Sequence, residues 1–326
     1  MERRTFMTTV GIAGVTAAAG CLSSADSSDD SANDSENDPA TGESTDPGAG
    51  SESAEAQIAS GETDHETVGS GALEGDGLRD PHTVALANRS DDAIEASFAV
   101  RTDDGVAFER TVELESEASI AVTLTEIARY EIEASVPGEG TATTETIPLD
   151  MFDCNGSQTT IAFRPDGTLE SSTVSTMMAC FGVVTERIPA TETFEHTIDG
   201  AIGSGKSGTG DDQPSEEQHS LGVVNPTDET WTVRAVLSGA EGAVFDGVFT
   251  LEADTAATLP IAEPGNYDLE ASVLETDASE VESVDSDSFD CNVSSTNATV
   301  GADGQLEIRT ISTMIACDVD SDDGSN

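Results

Sequence analysis

The stretch YEIEASV, residues 130–136, returns almost unchanged as YDLEASV, residues 267–273. In both copies a tyrosine is followed by apolar residues at every second position, which is the pattern of a strand with one buried face. The copies lie 137 positions apart, and the same offset relates residues 82–180 to residues 219–317 without a gap. These 99-residue segments share 31 identities. A repeat of this length predicts a duplicated domain rather than a solenoid unit.

Further alternating runs, separated by turn residues, occur throughout each copy. In the first copy they cover 94–100, 106–114 and 120–124, and the turn at 103–105 reads Asp-Asp-Gly. Neither copy contains a run with helical periodicity. Short strands about ten residues apart, with turn signals between them, predict an all-β sandwich in each copy.

Tyr130 and Tyr267 refine this prediction. The second tyrosine follows Pro264-Gly265-Asn266 and leads directly into a strand pattern. This arrangement resembles the tyrosine corner of immunoglobulin-like sandwiches, in which the phenol hydroxyl bonds to backbone at a corner. Antibody domains place a cysteine two residues after that tyrosine, whereas this chain has Ile132 and Leu269. The resemblance therefore implies two tandem immunoglobulin/fibronectin-like β-sandwiches, without the central disulfide of antibody domains.

The N-terminus looks like an export signal followed by a lipid-attachment site. Arg3-Arg4 precede Phe6, as in twin-arginine signals, and an apolar stretch that is too short to span a bilayer follows from Val10 to Ala19. The stretch ends in Ala-Ala-Gly before Cys21, which resembles a lipobox with Cys21 as the acylated residue. An ordinary signal peptide followed by a stray cysteine is the alternative. On either interpretation the segment is a targeting signal and is not expected to form part of the folded domains.

Composition divides the chain into six parts. Between Cys21 and Gly77 the sequence is rich in Ser, Asp, Glu and Gly and shows no apolar periodicity, which is typical of an extended acidic tether. A Gly- and Ser-rich stretch also separates the two copies. The expected organisation is a signal peptide (1–20), a disordered acidic tether (21–77), the first sandwich (78–185), a linker (186–217), the second sandwich (218–320) and an acidic tail (321–326).

The four cysteines within the copies have a simple pairing solution. The midpoint of Cys154 and Cys180 is Gly167, directly after Asp166, and Cys291 and Cys317 are likewise centred on the glycine of an Asp-Gly pair. Asp-Gly between alternating runs is a strong hairpin signal, so each hairpin brings its cysteines close together. We therefore predict the disulfides Cys154–Cys180 and Cys291–Cys317. Each would stabilise the fold by about 3 kcal/mol on the chain-entropy model.

The charge of the chain narrows the classes of partner. Lys and Arg number 12 against 65 Asp and Glu, which gives a net charge of −53. Nucleic acid and anionic lipid both require a basic patch, so neither is expected as a partner. The spread of carboxylates along the whole chain indicates a protein suited to very salty water. A sink for cations at low salt is the alternative.

Two sequons follow cysteines at matching positions. Asn155-Gly-Ser and Asn292-Val-Ser are candidate glycosylation sites of an exported protein, and Asn88 and Asn297 begin further sequons.

Metal binding is the main chemical alternative. Each copy contributes one set of soft or imidazole ligands, His82 with Met177 and Cys180 in the first copy and His219 with Met314 and Cys317 in the second. A copper site of the cupredoxin kind needs two histidines, one of them shortly after the cysteine, and neither cysteine has one. The methionines are expected in the core instead. The histidines are expected to have surface or capping roles.

No cofactor pattern and no catalytic arrangement can be assembled from the four histidines and the cysteines, so we expect a non-catalytic protein. The signal and both copies together resemble haloarchaeal exported lipoproteins with immunoglobulin-like domains. This resemblance implies an extracytoplasmic lipoprotein, anchored to the outer face of the cell membrane, that serves as a binding, adhesion or spacer module for a protein or glycan partner. A small-ligand or copper-type carrier that uses the duplicated His, Met and Cys positions is the alternative.

The charge predicts a salt-dependent fold. Raising NaCl from dilute buffer to about 1 M shortens the Debye length to about 3 Å, so the melting temperature is expected to rise as the repulsion among carboxylates is screened. Thermal unfolding followed by circular dichroism measures this rise, and sucrose, which screens no charge, is the control. A melting temperature that is equal in dilute and molar salt would contradict the halophilic interpretation.

Overall fold

The computed structural model describes residues 56–73, 75, 77–199 and 219–313. Within these ranges almost all regular structure is β-strand, and four five-stranded sheets form two sandwiches, one from each copy. The all-β, tandem-sandwich fold predicted from the alternating runs is therefore confirmed.

The first sandwich also contains a 3-10 turn at Leu149–Met151. Its strands are β1 (Ala56–Ile58), β2 (Thr63–Val68), β3 (His82–Asn88), β4 (Ile94–Thr102), β5 (Gly105–Leu114), β6 (Ser119–Leu124), β7 (Tyr130–Val136), β8 (Thr141–Ile147), β9 (Ser157–Phe163) and β10 (Leu169–Ser175).

The second sandwich repeats this series and has its 3-10 turn at Ser286–Ser288. Its strands are β11 (Val183–Ile188), β12 (Thr193–Glu195), β13 (His219–Asn225), β14 (Trp231–Gly239), β15 (Gly242–Leu251), β16 (Thr255–Ile261), β17 (Tyr267–Val273), β18 (Ala278–Val284), β19 (Ser294–Val300) and β20 (Leu306–Ser312).

The sheet order supports the immunoglobulin-like resemblance at the centre of each sandwich. The first sandwich has the orders β1-β5-β4-β7-β8 and β10-β9-β3-β6-β2, and the second has β11-β15-β14-β17-β18 and β12-β16-β13-β19-β20. Neighbours β4, β7 and β8 correspond to strands C, F and G, and β3 with β6 corresponds to B with E. The hairpin β9–β10 is an addition that joins β3 through a parallel pairing.

Each tyrosine corner forms as the resemblance implies. The hydroxyl of Tyr130 donates to the carbonyl oxygen of Glu126 at 3.0 Å, and that of Tyr267 donates to Glu263 at 2.9 Å. Both tyrosines begin the strand that corresponds to F. The hydrogen bond allows the phenol of Tyr130 to be buried, because a buried hydroxyl without a partner would be destabilising.

The expected boundaries of tether and linker are wrong at four strands. β1 and β2 lie inside 21–77, which was expected to be disordered, β11 crosses the 185/186 boundary, and β12 lies inside the expected linker. All four strands pair in parallel with strands of the sandwich cores. Their short or polar sequences show no apolar alternation, and their backbone hydrogen bonds come from strands that are distant in sequence. No local pattern therefore predicts them. The signal peptide, Cys21, the rest of the linker from 200 and the tail lie outside the described residues.

The hairpins that carry the cysteines form one residue away from the predicted centre. Leu169 pairs with Phe163 and Ser175 pairs with Ser157, so β9 and β10 are related about Asp166 rather than Gly167. Gly167 has a φ of 82°, which a glycine adopts without strain, and its amide donates to the carbonyl oxygen of Arg164 at 2.9 Å. The Asp-Gly turn is thus confirmed.

A buried arginine holds the two sandwiches together. Arg79 is only 2% exposed, and all five of its N–H groups have acceptors. Its Nε donates to Asp246 Oδ1 at 2.8 Å and its Nη2 donates to the carbonyl oxygens of Val184 and Asp246. Its Nη1 donates to the carbonyl oxygen of Phe152 and to Thr185 Oγ1. Because Phe152 belongs to the first sandwich and the other partners to the second, the charge is buried only where the two meet.

The face around Asp246 differs between the copies. In β15 the outward residues Asp246 and Val248 are buried, and Val248 packs with the core of the first sandwich. Their counterparts in β5, Glu109 and Thr111, are exposed. Arg234 also bonds Asp246 Oδ2 at 2.6 Å, so the buried carboxylate has two cationic partners. The face that is exposed in the first copy is therefore buried at the junction in the second copy.

Gly182 permits the close approach of chain at this junction. It has a φ of 73°, and its carbonyl oxygen accepts from the amide of Asp246 at 2.7 Å. A Cβ at this position would collide with the carbonyl oxygen of Val244 and press on the side chain of Leu78. A residue larger than glycine therefore does not fit here.

Replacing the buried arginine is expected to destabilise the whole described unit. Arg79→Met leaves the carbonyl oxygens of Phe152 and Val184 without their buried donor. It also removes one of the two cationic partners of Asp246, so the free energy of unfolding should fall by about 3–5 kcal/mol. Urea denaturation at constant molar salt measures this loss.

The matched control is Arg101→Met, because the pair that Arg101 forms with Glu133 at 2.9 Å is partly exposed to solvent and should contribute little. Equal losses in the two variants would show that the junction does not depend on Arg79.

Candidate functional site

A buried histidine lies at the start of each sandwich. The ring of His82 is fully buried, with Nδ1 2.7 Å from Ser157 Oγ and Nε2 3.1 Å from Thr159 Oγ1. Strands β3 and β9 pair in register, so His82 lies beside Ser157 in the sheet. Burial lowers the pKa of His82 to about 4, because desolvation disfavours the imidazolium ion.

The hydrogen-bond directions follow from the carbonyl group at one end of this network. Ser157 Oγ lies 3.2 Å from the carbonyl oxygen of Met151, which can only accept. The serine proton is therefore directed at Met151, and Ser157 Oγ accepts from Nδ1–H of His82. In the neutral ring Nε2 then accepts from Thr159 Oγ1, which accepts in turn from Thr173 Oγ1 at 2.8 Å. A nucleophile–base pair requires the opposite direction, with the serine proton on the imidazole.

The second sandwich repeats the network atom for atom. His219 Nδ1 lies 2.8 Å from Ser294 Oγ and His219 Nε2 lies 3.1 Å from Thr296 Oγ1. Ser294 donates to the carbonyl oxygen of Ser288, and Thr296 bonds Thr310. Burial lowers the pKa of His219 as well. Both histidines are therefore structural parts of the core, which corrects the expectation of surface or capping roles.

The predicted copper-type ligand set is not brought together in the first copy. Both ring nitrogens of His82 are engaged by hydroxyls, Cys180 is in a disulfide, and Met177 is 88% exposed. Residues Met314 and Cys317 of the second set lie outside the described residues. Within the described ranges no group of three or more His, Cys, Asp or Glu residues is arranged to hold a metal ion.

The cysteine pairing predicted from the hairpin is confirmed in the first copy. Cys154 and Cys180 form a disulfide with a Cα–Cα distance of 5.4 Å. Cys291 is disulfide-bonded too, while Cys317, its predicted partner, lies outside the described residues. The backbone amide of Cys154 and the side chain of Asn155 both donate to Cys180 Sγ at 3.2 Å. The disulfide is thus part of a local hydrogen-bonded structure.

The two sequons chosen as glycosylation sites have buried asparagines. Asn155 is 4% exposed, and its Nδ2, the atom that would carry a glycan, also donates to Asp153 Oδ2 at 2.9 Å. Asn292 is 8% exposed and donates to Asp290 Oδ2 at 2.8 Å. Because a folded chain offers neither nitrogen to solvent, these positions are interpreted as structural turns. Asn88, in a further sequon, is fully buried and bonds three carbonyl oxygens.

An exposed apolar surface lies where β10 ends. Val174 is 66% exposed, Met178 62% and Phe181 76%, beside the exposed Met177. The prediction that Met177 belongs to the core is wrong, because Met177 lies two residues beyond the end of β10, has a φ of 52° that no strand residue adopts, and is 88% exposed. We name Ser171–Ser175 with Met177, Met178 and Phe181 the β10 edge surface. Exposed apolar residues that are grouped in this way are typical of sites where a protein contacts a partner.

A signal for this surface was present in the sequence. Residues 171–185 contain no Asp, Glu, Lys or Arg, although 24% of the chain is charged. An uncharged run of this length in so acidic a protein indicates a segment in which a charged side chain would disfavour a contact. The sequence alone does not assign this run to the surface, because its cysteine and two methionines fit a core strand equally well.

The two sandwiches also enclose a small groove of about 240 Å³. Its lining includes Asp103, Asp104 and Arg129 of the first sandwich and Arg187 and Glu275 of the second. Small-molecule sites are larger and mostly apolar. This mixed-charge groove is therefore interpreted as part of the junction.

No family model matches this chain, and no curated protein matches it. Within the described residues, no helix has the length and apolar character needed to cross a membrane. The fold and the arrangement of side chains therefore define the class directly: an acidic, tandem β-sandwich protein with a duplicated buried histidine network.

The lowered pKa of His82 predicts acid sensitivity. The unfolded state binds a proton near pH 6.5 and the folded state only near pH 4, so stability is fully present above pH 6.5 and is lost as pH falls toward 4, by about 3 kcal/mol for this residue. Urea unfolding between pH 7.5 and 4.5 in molar salt should show a steeper loss in the native chain than in His82→Gln.

The exposed His65 provides the control, because His65→Gln leaves the buried ring and all carboxylates in place. An identical pH dependence in His82→Gln and His65→Gln would contradict the assignment of a buried neutral histidine.

Proposed function

We propose that this chain is an extracytoplasmic lipoprotein, anchored to the outer face of the cell membrane through Cys21, whose two sandwiches serve as a non-catalytic binding, adhesion or spacer module. The observation that carries the module role is the division between inward and outward groups. The histidines, the asparagines of the Cys-Asn pairs and Cys154–Cys180 are engaged within the fold, whereas the β10 edge surface is exposed. The described surface thus offers apolar contact area, while the histidines and the cysteines of the disulfide are engaged inside the fold.

The junction supports a role that depends on fixed geometry. Arg79, Asp246 and Val248 form a buried ion pair and an apolar contact between the sandwiches, and breaking a buried ion pair is costly. Two sandwiches that are held in this way can present a surface at a set distance from the point where the chain enters β1.

The charge supports a partner that is neither nucleic acid nor anionic lipid. At −53 the chain would repel a polyanion, while the uncharged β10 edge surface would not repel a protein. A protein partner is therefore favoured over a glycan, because the exposed groups of this surface are apolar side chains and strand backbone.

The anchor can be tested in cells. Cys21→Ser removes the thiol to which lipid would be attached, so the protein should move from the membrane fraction to the medium or the soluble fraction. Fractionation of intact cells and immunoblotting measure this change, and Ser24→Ala, three residues further on, is the matched control. Retention of the Cys21→Ser chain in membranes would overturn the proposed anchor without affecting the module role.

A further inference from the structure

Strand β10 lies at the edge of its sheet among the described residues. It ends the sheet order β10-β9-β3-β6-β2, so β9 is its only strand neighbour among the described residues. The amide of Thr176 donates to the carbonyl oxygen of Gly156, which continues the β9–β10 ladder. In an antiparallel ladder the N–H and C=O of one residue point to the same side and alternate along the strand. Ser171, Thr173 and Ser175 therefore direct their backbone groups away from β9.

β10 lacks the features that protect other edge strands. Natural edges are shielded by charges, prolines or bulges. β10 carries one charged residue, Glu170, near its start, and continues without charge, proline or register shift. The other edge strands of four or more residues carry charges nearer their middle or end, which are Asp64 and Glu66 in β2, Glu145 in β8, Glu186 and Arg187 in β11, Glu280 and Glu282 in β18, and Arg309 in β20.

We propose that the β10 edge surface binds the same surface of a second copy of this chain. Two β10 strands run antiparallel about a twofold axis at Thr173, so that Ser171 lies opposite Ser175 of the second copy. Each outward residue then exchanges both backbone hydrogen bonds with its counterpart, which is the ladder geometry of a continuous sheet. The two five-stranded sheets become one sheet across the dimer.

The side chains agree with this register. Ser172 lies opposite Val174 of the second copy, and Glu170 lies opposite Thr176, so no carboxylate faces another. Val174, 66% exposed in the single chain, is covered by the added strand. Met177, with its φ of 52°, ends the paired region. The pairing is thus limited to one short strand on each side.

Charge favours a second copy at this edge over any other contact between two such chains. Two molecules that each carry −53 repel one another over most of their surfaces, and the run 171–185 is where no carboxylate opposes approach. Molar salt screens the remaining repulsion. This inference rests on the proposed binding role of the surface, but it does not require the lipid anchor.

Sedimentation equilibrium tests the proposal on the full chain carrying Cys21→Ser, which removes the thiol for lipid attachment. In molar salt the chain should show a concentration-dependent monomer–dimer equilibrium. Ser175→Pro removes an outward N–H for which the described residues supply no acceptor, so the fold should persist while the dimer dissociation constant rises roughly tenfold or more.

A second pair of variants tests the side chains. Val174→Glu places a carboxylate in the joined sheet and should weaken the dimer, whereas Val281→Glu makes the same change at a 62% exposed position of β18 and should not. Circular dichroism melting curves verify that all variants are folded.

Three results would overturn the self-association. They are a monomer at every concentration in molar salt, a dimer unchanged by Ser175→Pro and Val174→Glu, and growth beyond the dimer, which would indicate head-to-tail pairing of β10 with β20. None of these results bears on membrane retention through Cys21. Failure of the dimer and failure of the anchor are therefore read from separate measurements.

Discussion

The buried guanidinium of Arg79 is the constraint on which the arrangement of the two sandwiches depends. A charge that is removed from water needs a partner of opposite sign and acceptors for every N–H group. Arg79 finds these only because Asp246, Val184 and Thr185 come from one sandwich and Phe152 from the other. Separating the sandwiches would leave the guanidinium without its ion-pair partner and the carbonyl oxygens of Val184 and Asp246 without a buried donor, so these bonds require the two sandwiches to stay together.

Duplication supplied two similar units, and the junction made them unequal. The outward face of β15 carries Asp246 and Val248, and the same face of β5 carries Glu109 and Thr111. At the first position the second copy has the shorter acid, which pairs with Arg79, and at the second position it has an apolar residue where the first copy has a polar one. Positions that the copies share, such as the tyrosine corner and the histidine network, maintain each sandwich. Positions that differ decide how the sandwiches associate.

The histidine network shows why chemically distinctive residues need not indicate chemistry. His82 has a serine at one nitrogen and a threonine at the other, an arrangement that resembles part of a catalytic site. The carbonyl oxygen of Met151 sets the direction of every proton in it and makes the imidazole a buried neutral link between β3 and β9. Function is therefore better sought at the surface, where the β10 edge offers backbone groups and apolar side chains without charge.

The sequence by itself determined the duplication, the strands of each core, the Asp-Gly hairpins, the tyrosine corners and the pairing of Cys154 with Cys180. The duplication is read directly from the repeated sequence, and the other features depend on neighbours within about thirty residues, so alternation and turn residues are sufficient to predict them. Only the tertiary structure decided that β1, β2, β11 and β12 are strands, that Met177 is exposed, and that Arg79 bonds Asp246, which is 167 residues away. Such features depend on partners that are remote in sequence, and no local pattern records a hydrogen bond or a buried charge whose other half lies in another domain.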